Sequence, residues 1–343
     1  MKAVIFREHG GTHKLSYEDF PTPTIGPGDV LIRAKACALN HLDIWVREGN
    51  PAYPLVLPHV LGSDVAGIVE EVGSHVEGVT VGQRVFVSPG MSCWHCNACL
   101  AGRDNFCRTY GVLGAVVHGG YAEYVKVPFR NVLPIPGDLS FEKAAAFPLV
   151  SVTASHMLFA LAGLQHGETV LVIGAGSGVG MMAVQMAKLA GAHVITTVGT
   201  DEKIPKAKAL GADVVLNHAK EKFAEHVKSL TERRGVDVVI EHVGPEVWDS
   251  CLESLAKGGR LITCGATTGG EVKVNLRYVY GRQLTIKGSY MGTHGELVKA
   301  GELVGQGRLI PVIDRMFPLQ EAKLAQDLML KRQFFGKIVL TVA

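Results

Sequence analysis

Residues 167–200 read GETVLVIGAGSGVGMMAVQMAKLAGAHVITTVGT, and this stretch decides the fold. Val170, Leu171, Val172 and Ile173 form a short, apolar, mostly β-branched run suited to a strand buried on both faces. The glycine-rich segment 174–180 follows, where the chain needs conformations and close approaches that a Cβ would block. An alanine- and methionine-rich run over 181–190 predicts a helix that stops at Gly191, and 193–198 predicts the next parallel strand. Together they make a βαβ unit whose helix N-terminus offers free N–H groups and positive potential to a phosphate. With Gly180 as the last glycine of the usual fingerprint, Ala175 and Ser177 stand at its first two positions. A packing turn with no ligand is the bland alternative. The strand–turn–helix context favours a phosphate binder contacted by Gly176, Ser177, Gly178, Val179 and Gly180.

Downstream of this unit, strands and helices keep alternating. Helices are expected at 202–210, 221–233 and 246–256, and strands at 214–216, 236–240, 260–264 and 284–288. About six parallel strands in this order predict a doubly wound α/β sheet. Upstream, residues 1 to about 145 read mainly as β. Short runs at 30–34, 66–72 and 84–87, set off by Gly/Pro/Asp turns, suggest a partly closed antiparallel barrel. The apolar run 144–162 has helical spacing and bridges into the second domain. The tail from about 290 returns to mixed structure and ends in a strand at 337–342. The expected division is a discontinuous domain of 1–150 with 290–343, and a dinucleotide-binding domain of 151–289.

At 343 residues the chain has room for two cores. A net charge of +2, spread along the chain with no basic block, argues against a nucleic-acid or polyanion surface. No apolar run reaches the roughly 18 residues of a membrane span, and residues 1–7 read as an edge strand rather than a signal peptide. A soluble, cytoplasmic protein is expected.

Cys93-x-x-Cys96-x-x-Cys99 and Cys107 lie in a loop-like lobe over 90–110. Without an export signal, such clustering favours a metal over disulfides. Two-residue gaps let successive thiolates wrap one ion, and a fourth closes a tetrahedron of roughly 2.3 Å Zn–S bonds. With no open coordination position the site is structural, bracing a lobe that has little core of its own. Reduced free thiols and an iron–sulfur cluster are the alternatives. His95 reads as exposed.

A β-rich front, a four-cysteine lobe, a dinucleotide sheet and a returning tail together resemble the medium-chain dehydrogenase/reductase superfamily, over essentially the whole chain. The resemblance implies a GroES-like first domain, a structural zinc on Cys93, Cys96, Cys99 and Cys107, and a nicotinamide dinucleotide. It also implies where a catalytic zinc would be held, and there the chain departs from the zinc alcohol dehydrogenases. Asn40 stands for the cysteine before Asp43, Ser63 for the histidine of a Gly-His-Glu sequence, and Leu149 for the cysteine ahead of Thr153. Cys37, His41, His59 and Asp64 are nearby in sequence and could rebuild a metal site. Conversely, Asn40-x-x-Asp43-x-Trp45-x-Arg47-x-Gly49 is similar to the quinone oxidoreductase branch.

The expected chemistry is therefore hydride transfer to a small carbonyl substrate, a quinone or an α,β-unsaturated carbonyl, without catalytic zinc. Such acceptors supply their own electron sink, so the protein needs to position them and bond the developing oxyanion. Asn40 is the candidate donor, or else a turn cap. Asp43 orients neighbours or pairs with Arg47, and Tyr53 is a proton donor or an exposed loop residue. An alcohol dehydrogenase with an unconventional metal site is one alternative, and a non-catalytic structural or regulatory protein on the same scaffold is another.

By resemblance, His41 lies at the cofactor pyrophosphate and Thr153 beside the nicotinamide, with Val243, Cys264, Gly265, Met291 and Lys337 further along the cofactor. The second strand ends at Val198 rather than at an acid. The following Val-Gly-Thr-x-x-Lys pattern resembles NADPH-using quinone reductases, with Thr200 and Lys203 near the 2′-phosphate. NADP is favoured over NAD, although Asp201 and Glu202 would repel that phosphate if they faced it. A homodimer or homotetramer, associated through 284–288, is expected from the same resemblance.

Overall fold

The computed structural model describes residues 1–220 and 222–343, so the expected helix start at 221 lies outside the described residues. The chain divides into two compact units, one of Met1–Leu149 with Thr293–Ala343 and one of Val150–Gly292.

In the second unit, β-branched runs become the parallel strands Thr169–Val172, His193–Val198, Val214–Asn217, Val236–Glu241, Leu255–Thr263 and Thr285–Gly288. Taken in sequence, they lie side by side in the order third, second, first, fourth, fifth, sixth, the doubly wound arrangement. Leu171, Ile173, Ile195, Val236, Val239 and Leu261 are buried in one core with Trp248 and Leu252 of the helix Pro245–Ser254. Between the first two strands runs the helix Gly178–Leu189, capped by Ser177. The expected helix over 144–162 is broken into Phe141–Ala145, Pro148–Ser155 and a wider π-turn, His156–Leu161. The expected helix at 246–256 stops at Ser254, because Leu255 already opens the next strand.

In the first unit, a six-strand path runs Val132–Pro134, Arg84–Val87, Asp64–Val72, Asp29–Ala38, Lys337–Thr341, Ile313–Pro318, and Tyr124–Pro128 also pairs with Asp29–Ala38. The pairs are antiparallel except Ile313–Pro318 with Lys337–Thr341. Among the described residues no pairing joins the two ends of the path, so the expected barrel is left open by its hydrogen bonds. The strand Lys337–Thr341 inserts beside Asp29–Ala38, with Val339 opposite Ala38. That insertion carries the start of the last strand to the end of Asp29–Ala38 from which the helix His41–Glu48 departs.

Candidate functional site

Two polar clusters and a phosphate-type turn stand out, each within a single unit. The turn comes first. Gly174 has φ +68°, a left-handed conformation that disfavours side chains, and a Cβ on Gly180 would lie 2.1 Å from the Gly174 carbonyl oxygen. Only glycine lets strand and helix close this tightly. Ser177 Oγ accepts from Gly180 N at 2.8 Å, which leaves the N–H groups of Gly178 and Val179 ahead of the first helical hydrogen bond, Met181 N to Ser177 O at 2.9 Å. His242 Nε2 lies 2.9 Å from the Ile173 carbonyl and 3.0 Å from Ser177 Oγ. A carbonyl can only accept, so Nε2 carries the proton. These residues fit an anion at the helix N-terminus.

Around the turn, Glu241 is fully buried and accepts from Gly244 N at 2.6 Å, from Thr263 Oγ1 at 2.8 Å and from Val243 N. Gly265 packs so closely on the His242 carbonyl that a Cβ would come within 2.5 Å. Val243, Cys264 and Gly265 therefore share the carboxyl end of the fourth and fifth strands, where ligands of such sheets bind. Burial pushes the Cys264 thiol up to about 12. Thr153 is buried within Pro148–Ser155, and Met291 is held at φ +55°. Val198, buried at the end of the second strand, leaves no acid there. Thr200 caps the short turn Asp201–Lys203 by position, but its side chain accepts no cap hydrogen bond. The Asp201 carboxylate is bonded to Asn217 Nδ2 at 2.6 Å and to Lys220, so it is committed to the neighbouring strand end.

The four-cysteine lobe of the first unit holds its sulfurs together. The Sγ atoms of Cys93, Cys96, Cys99 and Cys107 all lie within 4.8 Å of one another. Cys96 Sγ is 3.5 Å from Cys99 Sγ, and Cys93 N donates to Cys107 Sγ at 3.4 Å. Among the described residues this is the one group of three or more His, Cys, Asp or Glu side chains close enough to share an ion. Four sulfurs at this spacing fit tetrahedral zinc. Asp104, inside the lobe, accepts from His294 N at 3.1 Å and so caps the helix His294–Gly305.

The second polar cluster is built on residues far apart in sequence. Asn40 is the N-cap of His41–Glu48, and the Asp43 carboxylate reaches back to Asn40 N at 2.8 Å. The Asn40 amide also reaches distant residues: Nδ2 donates to Asp64 Oδ2 at 2.8 Å and Oδ1 accepts from Lys337 Nζ at 2.6 Å. Lys337 Nζ also meets Asp64 Oδ2 at 3.1 Å, and Asp64 Oδ1 accepts from Leu149 N at 2.8 Å. Ser63, beside Asp64, keeps a buried Oγ with no hydrogen-bond partner among the described residues. Positions 40, 63 and 149, which the resemblance gives to catalytic metal ligands, thus gather about one carboxylate. An amide, a hydroxyl and an isobutyl group are poor zinc donors, and the cation already in contact with Asp64 is an ammonium.

Asp43 does not pair with Arg47. It accepts from Tyr121 OH at 3.1 Å and Gly62 N at 3.2 Å, and burial pushes its carboxyl up to about 6 against those hydrogen bonds. Arg47 is itself fully buried and points to the returning tail, where Nε donates to Gln326 Oε1 at 2.8 Å. His41 is half-buried, its ring edge-on to Trp45 at 5.2 Å, and Tyr53 is half-buried in the following loop. His59 is packed between Phe6 and His118 with Nε2 3.1 Å from Gly114 O, so it is not directed at Asp64. Cys37 is fully buried, and burial drives its thiol well above the ordinary value. Tyr121 belongs to no motif and was invisible in the sequence; only the fold brings it to Asp43.

The comparisons with known proteins agree with this anatomy. Residues 26–137 match the alcohol dehydrogenase GroES-like domain and residues 178–306 the zinc-binding dehydrogenase domain. An alcohol dehydrogenase of Geobacillus stearothermophilus is 33% identical over 345 residues, covering all of both chains. A quinone oxidoreductase of Lama guanicoe is 32% identical over 350 residues, covering 99% of this chain and 97% of its own. The crystal structure of an NAD-dependent alcohol dehydrogenase superposes with a TM-score of 0.96 at 43% identity, covering all of both chains.

Proposed function

The chain belongs to the medium-chain dehydrogenase/reductase superfamily and is an NAD(P)-dependent oxidoreductase; on that premise we propose that it reduces quinones or α,β-unsaturated carbonyls, with one structural zinc and no catalytic zinc. The observation that carries this reading is the composition of the Asp64 cluster. Asn40, Ser63 and Leu149 take the ligand positions, and Lys337 supplies a cation in their midst. Without a metal Lewis acid an alcohol's hydroxyl is not activated in the zinc-dehydrogenase way. An acceptor with its own electron sink needs only positioning and charge stabilisation.

Bound NAD(P)H supplies the hydride. Gly176, Ser177, Gly178, Val179 and Gly180 receive its pyrophosphate at the helix N-terminus, helped by His41, while Thr153, Val243, Cys264, Gly265 and Met291 line its nicotinamide half. Lys337, whose ammonium also meets Asn40 and Asp64, is kept as a weaker member of this set. Thr200 and Lys203 favour NADP over NAD, supported by Val198 in place of an acid and by an Asp201 turned to Asn217 and Lys220. Lys203→Ala is expected to weaken NADPH binding about tenfold and NADH little, since one phosphate-bound charge is worth roughly 1.5 kcal/mol; equal effects in a fluorescence titration would remove the NADP assignment. Cys93, Cys96, Cys99 and Cys107 hold the zinc. The protein is proposed to act in the cytoplasm as a homodimer or homotetramer associated through the edge strand Thr285–Gly288. None of its described helices is long and apolar enough to cross a membrane.

The alcohol dehydrogenases among its relatives support a second reading, alcohol oxidation. A screen of quinones, enals and alcohols with both cofactors separates the two. Turnover of quinones or enals well above that of alcohols is the expected result; alcohols alone as substrates would favour the second reading.

A further inference from the structure

The glycine turn of the second unit lies at the carboxyl ends of its parallel strands. At their amino ends, roughly 17 Å away along Val236–Glu241, the same unit has a cavity of about 220 Å³. Lys228, Arg233, Arg234, Glu253, Tyr278 and Arg282 line it, four cations against one carboxylate. Two of the cations are already spent. Arg234 meets the two oxygens of Asp237 at 2.6 and 2.9 Å, and Lys228 Nζ meets Glu225 at 3.0 Å and Glu253 at 3.8 Å. Arg282 is held by uncharged groups. Its Nη1 donates to Tyr278 OH and, at 3.4 Å, to Leu252 O, and its Nη2 donates to Leu255 O. These bonds cap the end of the helix Pro245–Ser254, whose negative pole offsets the charge only in part. The Arg233 guanidinium makes no hydrogen bond or ion pair among the described residues. The cavity therefore carries positive charge that the chain does not neutralise.

The backbone delivers that charge at a cost. Glu232 and Arg233 are consecutive residues with φ +50° and +67°, a left-handed conformation in which glycine and asparagine are at ease and longer side chains are strained. They turn the chain from the helix Phe223–Leu230 into the fourth strand, with Arg233 N donating to Lys228 O at 2.6 Å and Gly235 N to Thr231 Oγ1 at 2.9 Å. A glycine or asparagine would make the same turn without strain. Backbone strain persists where the surroundings enforce it, and it concentrates at ligand sites. Here the strained residue is also the one whose charge is unpaired. We propose that this cavity binds phosphate, free or as a small monoester, through Arg233 and Arg282. Guanidinium forks match the spacing of phosphate oxygens, and Lys228 adds a third positive charge. Glu253 opposes the anion and competes for Lys228. Pockets for drug-sized ligands start at roughly 300 Å³, so the volume suits a small anion and not a second dinucleotide.

The test titrates inorganic phosphate, and separately glycerol 3-phosphate, into the full-length protein by calorimetry in low-chloride buffer. Saturating NAD(P)H keeps the glycine turn occupied throughout. Wild type should show one saturable site per chain, the tighter of the two ligands telling the free ion from an ester. Arg233→Asn removes the charge with a residue that tolerates the left-handed turn. It should weaken binding by about tenfold or more, as loss of a charged hydrogen bond does, while Tm without phosphate holds within about 2 °C or rises. Glu253→Gln should act in the opposite direction and tighten binding about two- to threefold. No saturable binding to wild type, or an unchanged affinity in Arg233→Asn, would overturn the site. A fall in Tm of more than about 5 °C in that variant would show that Arg233 serves the fold instead. Quinone and enal turnover tests the reductase reading separately, and its failure would leave a phosphate result standing.

Discussion

Four sulfurs between Cys93 and Cys107, close enough to share one ion, and the oxygens of Asn40 and Asp64 around the Lys337 ammonium sit in the same unit, and each set suits one positive charge. They differ in where the charge comes from. The sulfur set contains no cation of its own, so it needs one from solution, and zinc is the ion its donors suit. The oxygen set is served by the chain itself, because the returning tail delivers Lys337 to Asp64 from 273 residues away. The first arrangement recruits a metal. The second already holds a cation of the chain itself, Lys337 against Asp64. On the proposed reading, the metal-independent character of the second set rests on the residue types at 40, 63 and 149 and on the ammonium that already meets Asp64.

The most severe way to break the comparison is at the sulfurs. Cys96→Ser removes one of four thiolates from a site whose binding free energy is on the order of 10 kcal/mol. Zinc content should fall from one per chain toward zero, and the lobe should become protease-sensitive; unchanged zinc would refute the assignment. Next in size is conversion of the second cluster into the first. Asn40→Cys, Ser63→His and Leu149→Cys together should still leave one zinc per chain while Lys337 remains, and two once Lys337→Met is added. Two zincs with Lys337 still present would show that the ammonium excludes nothing.

The two clusters should also respond to acid with opposite signs. Protons compete with zinc for thiolates, so the lobe loses its ion as pH falls. Asp43, beside the lysine cluster, has its folded value raised from 3.8 to about 6 by burial. A raised carboxyl contributes stability that is complete below about 3.8 and is lost as pH rises through about 6. That loss is at most about 3 kcal/mol, at 1.36 kcal/mol per unit. Urea midpoints of zinc-saturated protein between pH 4 and 7 should fall relative to those of Asp43→Asn as pH rises. Parallel curves would mean that Asp43 is not held in this way.

How much of this was legible in the sequence depended on whether the signal was local. The βαβ unit was readable because strand, glycine turn and helix follow one another within 167–200, each with its own periodicity or steric demand. The sulfur set was readable because its spacing is the signal. The departures at Asn40, Ser63 and Leu149 were readable as departures, but what replaces a metal there was not. That answer depends on pairing across 297 residues for Asn40 with Lys337 and 78 for Asp43 with Tyr121. An i to i+4 reading coupled Asp43 to Arg47, whereas the fold buries the arginine against Gln326 of the tail. The interrupted helix after 144 was missed for a related reason: its apolar spacing suits a regular helix, and nothing in it announces the π-turn at His156–Leu161.

The central claim, one recruited cation and one built in, is tested most directly by metal analysis of purified protein paired with activity before and after chelation. The account predicts one zinc per chain, on the four cysteines, and quinone or enal reduction that survives chelators too mild to strip the lobe. Two zincs per chain, with the same chelators abolishing alcohol oxidation, would contradict it.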